Sequence, residues 1–209
     1  LAQGDIHGLA KVLELPVTPK LKVLLAVLIT SLVMDQSTKL WALNTIGGVG
    51  GRDIVVVKNW VEFVHAENKG AAWSTFSDSP YRLYVFAVFT IVAVVALIQM
   101  FRSLEPGEKL RAASTGLILS GAVGNAIDRT WKGSVTDFIK VFAGEGDARR
   151  WCIEHFGTNV WPIFNVADAA IVVGVSLFGL EYFFQKDTAA ADKEDVGPNP
   201  MQSSENGGA

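Results

Sequence analysis

Cysteine occurs once in the chain, at Cys152, so no internal disulfide can staple its loops. Histidine occurs three times, at His7, His65 and His155, without the H-E-x-x-H spacing that a helical zinc protease needs. Glu154-His155 is an isolated dipeptide. Neither a nucleophile elbow for Ser-His catalysis nor a glycine-rich phosphate loop followed by lysine is present. A strong charge of one sign is missing too. The net charge of −3 leaves no basic footprint for nucleic acid. A cleavable signal peptide is not evident, because the first apolar run carries Asp35 and Lys39 where a small-residue cleavage site would stand. The chain opens on Leu1 rather than Met, so residues 1–10 are set aside, and 1–19 are read as an N-terminal segment outside the fold.

What the chain has in abundance is apolar sequence. Half of its 209 residues are hydrophobic, the mean hydropathy is +0.31, and the excess sits in a few runs. A helix needs roughly 20 mostly apolar residues to cross a bilayer. Leu83–Phe101 has no charged residue, and Lys22–Leu43 is apolar up to Asp35 and Lys39. Leu110–Ile127 is apolar after Arg111 and rich in small residues, while Ile163–Phe184 carries Asp168 near one end and Glu181 near the other. These four runs predict a single-domain, all-α polytopic membrane protein over residues 20–184.

The connections differ in character. Residues 44–80 begin with glycines at 47, 48, 50 and 51, then alternate Val, Trp and Phe with polar residues in DIVVVKNWVEFVHAENKG. That pattern predicts a small sheet at the membrane surface, with Asn68-Lys69-Gly70 as a turn between two strands. The second link, Arg102–Lys109, is a tight turn at the opposite surface, and residues 129–162 form a longer loop. Residues 185–209 read as a disordered polar tail. Four spans put both termini on one side of the membrane. Lys and Arg are nearly balanced between the two sides, so charge alone leaves the orientation open.

Polar residues inside or at the edge of membrane helices are costly and tend to be retained for function. Asp35 and Lys39 are four apart and share a helix face, suited either to an ion pair anchoring the helix at the interface, which spacing alone favours, or to an outer support that positions the sheet or the substrate. Asn125, Asp128 and Arg129 also share a face, suited either to a structural hydrogen-bond cluster or to an arginine clamp on a peptide carbonyl. Gly116, Ser120, Gly121 and Gly124 on the same run predict close helix packing. Asn165 and Asp168 open the fourth run on one face, where Asp168 could simply be a helix N-terminal charge. Asp137 ends a polar loop, where an aspartate is ordinarily just solvated. Two carboxylates brought to one membrane surface nevertheless suit a pair that shares a proton, the chemistry of aspartic hydrolysis.

The motifs DQSTK, ENKGAAWS, GNAIDR, VTDF and WPIFNVADAA, in that order between Lys20 and Phe184, resemble those of lipoprotein signal peptidase (signal peptidase II). The resemblance implies a bacterial inner-membrane aspartic endopeptidase with four transmembrane helices and both termini cytoplasmic. It also implies a periplasmic β-cradle and a further periplasmic element between helices three and four. It assigns the catalytic dyad to Asp137 and Asp168. Asn68, Gly70, Asn125, Arg129 and Asn165 fall to the substrate pocket, and Asp35, Lys39 and Asp128 to support. The implied substrate is a prolipoprotein carrying diacylglycerol, cut just before its lipidated Cys. Membrane lipid would be a further partner, and inhibitors such as globomycin are expected to block the dyad. A monomer using no metal or other cofactor is expected. The connection KVFAGEGDARRWCIEHFGTNV is longer than the family's usual one by about a dozen residues, and is either a lid over the site or an inert insertion. A small transporter would also keep charges in its spans, but here they cluster near span ends. A structural membrane adaptor would leave the polar motifs without a purpose.

Overall fold

The computed structural model describes residues 18–47, 51–70 and 81–195, the side chains of Arg82 and of 182–195 excepted. Four long helices carry the fold: α1 (Pro19–Thr45), α2 (Arg82–Ser103), α3 (Lys109–Lys132) and α5 (Val166–Asp195). Between them lie strands β1 (Ile54–Val57), β2 (Val61–Asn68) and β3 (Val135–Val141), and the short helix α4 (Gly146–Phe156). Pro19 suits the first turn of α1, where its missing N–H costs nothing. Gly133 ends α3 in the left-handed region and returns its N–H to Arg129.

Polar and apolar residues are distributed inside-out. The buried set includes Asp35, Lys39, Ser114, Thr115, Ser120, Asn125, Asp128, Asp137 and Asn165, whereas Val88, Phe89, Ile91 and Val92 of α2 are exposed. None of the described side chains of α2, the most apolar helix, is buried. Water would not tolerate such a surface, but a bilayer favours it. Among the described residues α1 and Leu83–Ser103 are long and apolar enough to cross a membrane.

Helix α3 packs against α1, α2 and α5 and is the centre of the bundle. Its buried face is small and polar, with Ser114, Thr115, Gly116, Ser120, Gly121 and Gly124, which accounts for its lower apolarity. A Cβ on Gly121 would collide with Ala167 O and Ile171, and one on Gly124 with Asp35 Oδ2. The expected close packing is therefore present.

The sheet differs from the sequence expectation in its third strand. Its order is β1-β2-β3, all antiparallel, and Asp137 lies within β3 opposite Ala66 rather than at the end of a loop. Val135, Thr136, Ile139 and Val141 supply the β-branched residues that favour this. The β1–β2 turn is Lys58–Trp60, with Asn59 at φ 67°, whereas Asn68 ends β2 and residues 71–80 lie outside the described set. Residues 48–50 of the glycine-rich turn lie outside it too. Helix α5 continues past Phe184 to Asp195, so the first part of the expected tail is helical; Ala189–Ala191 with Lys and Glu favour that state. Residues 1–17 and 196–209 are outside the described set. Edge-to-face contacts of Trp41 with Phe63 at 5.4 Å and Phe138 at 6.3 Å seat the sheet on the end of α1.

Candidate active site

Helix α5 begins at Val166, and its unpaired N–H groups need acceptors. Asn165 and Asp168 meet that need reciprocally. The Asp168 N–H donates to Asn165 Oδ1 at 3.0 Å, and the Asn165 N–H donates to Asp168 Oδ2 at 3.2 Å, a capping box built from Asn and Asp. Asp35, from α1, accepts the Ala167 N–H at 2.9 Å. Asp168 thus starts its helix in a position fixed by two elements.

A matching brace holds Asp137. Asp128, near the end of α3, accepts the Thr136 N–H at 3.1 Å. Asp35 and Asp128 therefore each grip the residue immediately before one of the two proposed catalytic aspartates. Lys39 ties these supports together. Its ammonium donates to Asp35 at 2.9 Å, Asp128 at 3.1 Å and Asn125 Oδ1 at 3.1 Å, using all three of its donors. Asp35 and Lys39 are each only 1 % exposed, so they are an interior cluster and not an interfacial anchor. Spacing correctly gives their shared face but not what covers it.

The three asparagines then connect the acids. Asn125 turns its oxygen to Lys39, which can only donate, so its NH2 reaches Asp168 Oδ1 at 2.8 Å. Asn165 accepts a backbone N–H on its oxygen, which leaves its NH2 for Asp137 Oδ1 at 2.6 Å and Asn125 Oδ1 at 3.2 Å. Asn68 accepts the Gly70 N–H at 2.8 Å, and its NH2 donates to Asp137 Oδ2 at 2.9 Å. Each amide orientation is set by an unambiguous donor. Gly70 sits at φ 98°, and a Cβ there would stand 2.6 Å from the Phe86 ring. Glycine is what that approach permits.

Burial pushes the Asp137 carboxyl up to about 6 from its ordinary 3.8, and the charge of Asp168 adds to the rise. Hydrogen bonds from Asn68 and Asn165, and the charge of Lys39, oppose it. A buried acid near neutrality beside a second carboxylate can hold a proton and give it up. No group of three or more His, Cys, Asp or Glu arranged for a metal occurs among the described residues.

Arg129 stands apart from the amide network. Its guanidinium lies 4.4 Å from the centre of the Phe86 ring, and it lines an apolar groove of about 500 Å³ between α2 and α3 with Leu83, Ala87, Ile91 and Ala126. Its charge still acts on Asp168 and Asp137. The sequence reading missed Gln36, which donates to Asp35 at 3.0 Å, and Lys132, which donates to Asp128 and Thr136, both at 3.1 Å. Lys132 lies four residues after Asp128, a spacing that could have found it. Phe86, inside a uniformly apolar run, offered no signal.

An inside-out helical bundle closed over buried aspartates, asparagines and a lysine defines a membrane protein with a polar reaction-type centre. The chain matches the Signal peptidase (SPase) II family model over residues 27–184. It is 40 % identical over 163 residues to a lipoprotein signal peptidase of Geobacter metallireducens, covering 78 % of this chain and 91 % of that one. It is 33 % identical over 152 residues to one of Geobacillus kaustophilus, covering 73 % and 87 %. A solved bacterial membrane enzyme, determined by the in meso method at 2.3 Å, aligns with TM-score 0.63 and 25 % identity over 83 % of this chain and 93 % of that one. The chain belongs to the signal peptidase II family, membrane proteases of lipoprotein processing.

Proposed function

We propose that this chain is an aspartic endopeptidase that removes the signal peptide from diacylglyceryl-modified prolipoproteins, cutting before the lipidated Cys. The observation that carries this reading is the pairing of Asp137 on β3 with Asp168 on α5 through Asn165 and Asn125. Two close carboxylates resist joint ionisation, so the pair keeps one proton. Burial favours that proton on Asp137, and substrate that displaces water acts in the same direction. The ionised partner takes a proton from water as the water attacks the scissile carbonyl. The protonated partner gives its proton to the carbonyl oxygen. As the tetrahedral intermediate collapses, the proton taken from water passes to the leaving amine and a hydroxyl of the gem-diol returns its proton to the partner.

Asn68, Gly70, Asn125, Asn165 and Arg129 line the peptide path in this reading, while Asp35, Lys39 and Asp128 hold the dyad in register. All four long helices cross the bacterial inner membrane, with the sheet and dyad at the periplasmic side and both termini cytoplasmic. The enzyme acts as a monomer on substrate arriving sideways from the lipid, and globomycin-type inhibitors occupy the dyad. A precursor offered to purified protein in lipidated and unlipidated forms tests the reading. Mass spectrometry should find a cut immediately before Cys in the lipidated form alone. Equal cutting of both forms, or none of either, would overturn it.

A further inference from the structure

The stretch between β3 and α5 neither stays a loop nor folds back on the bundle. It forms α4, which has no buried residue. Ala148, Trp151, Cys152 and Phe156 fall at i, i+3, i+4 and i+8 on one side of it, with Asp147, Arg150 and Glu154 on the other. His155 stacks on Trp151 at 4.6 Å and Phe156 meets it edge-on at 5.4 Å. Yet Trp151 is 52 % and Phe156 69 % exposed. Some apolar medium has to cover this face.

The tethers of α4 show where it is held. Gly144 N–H donates to Asn59 O at 2.8 Å, Phe142 N–H to Trp60 O at 2.9 Å, and Trp161 N–H to Val141 O at 2.9 Å. The helix is therefore fastened to the end of the sheet that carries the β1–β2 turn, four residues along β3 from Asp137. Exposed apolar residues gather at that end: Val57, Trp60 and Trp161, the last 67 % exposed. The tryptophans are confined in the same way. The described residues hold Trp41 near the end of α1, Trp60, Trp131 at the end of α3, Trp151 and Trp161, all on the sheet side of the bundle. Trp131 is 83 % exposed. Tryptophan concentrates where bilayer meets water, because its ring is apolar and its N–H wants a partner.

We propose that α4 is an interfacial amphipathic helix that lies in the headgroup–acyl boundary on the sheet side, inserting Trp151 and Phe156 into the same bilayer that holds the bundle. The mixed charges of α4 suit a headgroup layer rather than a polyanion. The inference rests on membrane embedding and on nothing about the dyad. A lid over the site is not needed to explain the helix.

Nitroxides attached at Phe156→Cys and Glu154→Cys, each with Cys152→Ser, test it in the full chain reconstituted into phosphatidylethanolamine–phosphatidylglycerol vesicles. At 156 the label should relax more strongly with oxygen than with a water-soluble nickel chelate, and at 154 the preference should reverse. Equal nickel access at both positions would overturn the proposal. So would shielding of 156 from both relaxants, which would mean that protein covers the face. Depth is read without cleavage, so the outcome is independent of whether the dyad reading holds.

Discussion

Lys39 is the residue on which the buried cluster depends most. It neutralises Asp35 and Asp128 at once, and each of these holds the backbone directly ahead of Asp168 or Asp137. Removing one partner of a buried ion pair strands the other charge, at about 3–5 kcal/mol. Lys39→Met should therefore lower the thermal midpoint in detergent strongly, and an unchanged midpoint would show the brace to be dispensable. Lys132→Ala should cost less than about 1 kcal/mol, because Lys132 is 37 % exposed and its contribution is screened. Asp137 gives a pH prediction. Its carboxyl lies near 6 when folded against 3.8 ordinarily, so the folded state binds more protons between those values. Stability from this group is present below about pH 4, falls as pH rises to about 6 and then levels, by about 3 kcal/mol at most. From pH 4.5 to pH 7.5 the thermal midpoint of wild type should fall relative to that of Asp137→Asn, which lacks the titrating group; a constant difference would contradict the raised value. The same proton loss should make kcat/KM decline above about pH 6.

At the scale of elements, α3 organises the site because its glycines let α1 and α5 come close. Gly124→Ala would drive a methyl into Asp35 Oδ2 and loosen the Ala167 contact. Overpacking of this kind costs about 1–3 kcal/mol, and cleavage should fall at least tenfold; wild-type activity would mean that Asp35 does not position Asp168. The four long helices were legible in the sequence because apolar runs of that length have few other uses, and the Val-rich alternation of 54–67 announced β1 and β2. The strand β3 was not legible. Ser134, Thr136 and Asp137 read as a polar loop, and what makes the segment a strand is pairing with β2 some seventy residues earlier. The same limit hid the burial of Lys39. Spacing fixes a face, and only tertiary packing decides what lies against it. Helix-face spacing and placement at the membrane edge singled out Asn125, Asn165 and both aspartates, and motif order added Asn68, but neither gave the amide chain that joins them.

For the whole molecule, an apolar exterior around a polar interior is the arrangement a bilayer selects. If all four long helices cross it, the α2–α3 link and the α4–α5 link face opposite compartments. With Cys152→Ser, a membrane-impermeant maleimide should label Thr158→Cys in intact spheroplasts, and Glu105→Cys only after permeabilisation. Labelling of both from outside would reject the proposed orientation. The central claim concerns the two aspartates, and the most direct measurement is cleavage of a diacylglyceryl-modified prolipoprotein by wild type beside Asp137→Asn and Asp168→Asn. Both variants should remain folded and lose at least a thousandfold in rate. Near wild-type cleavage by either folded variant would contradict a proton-sharing dyad.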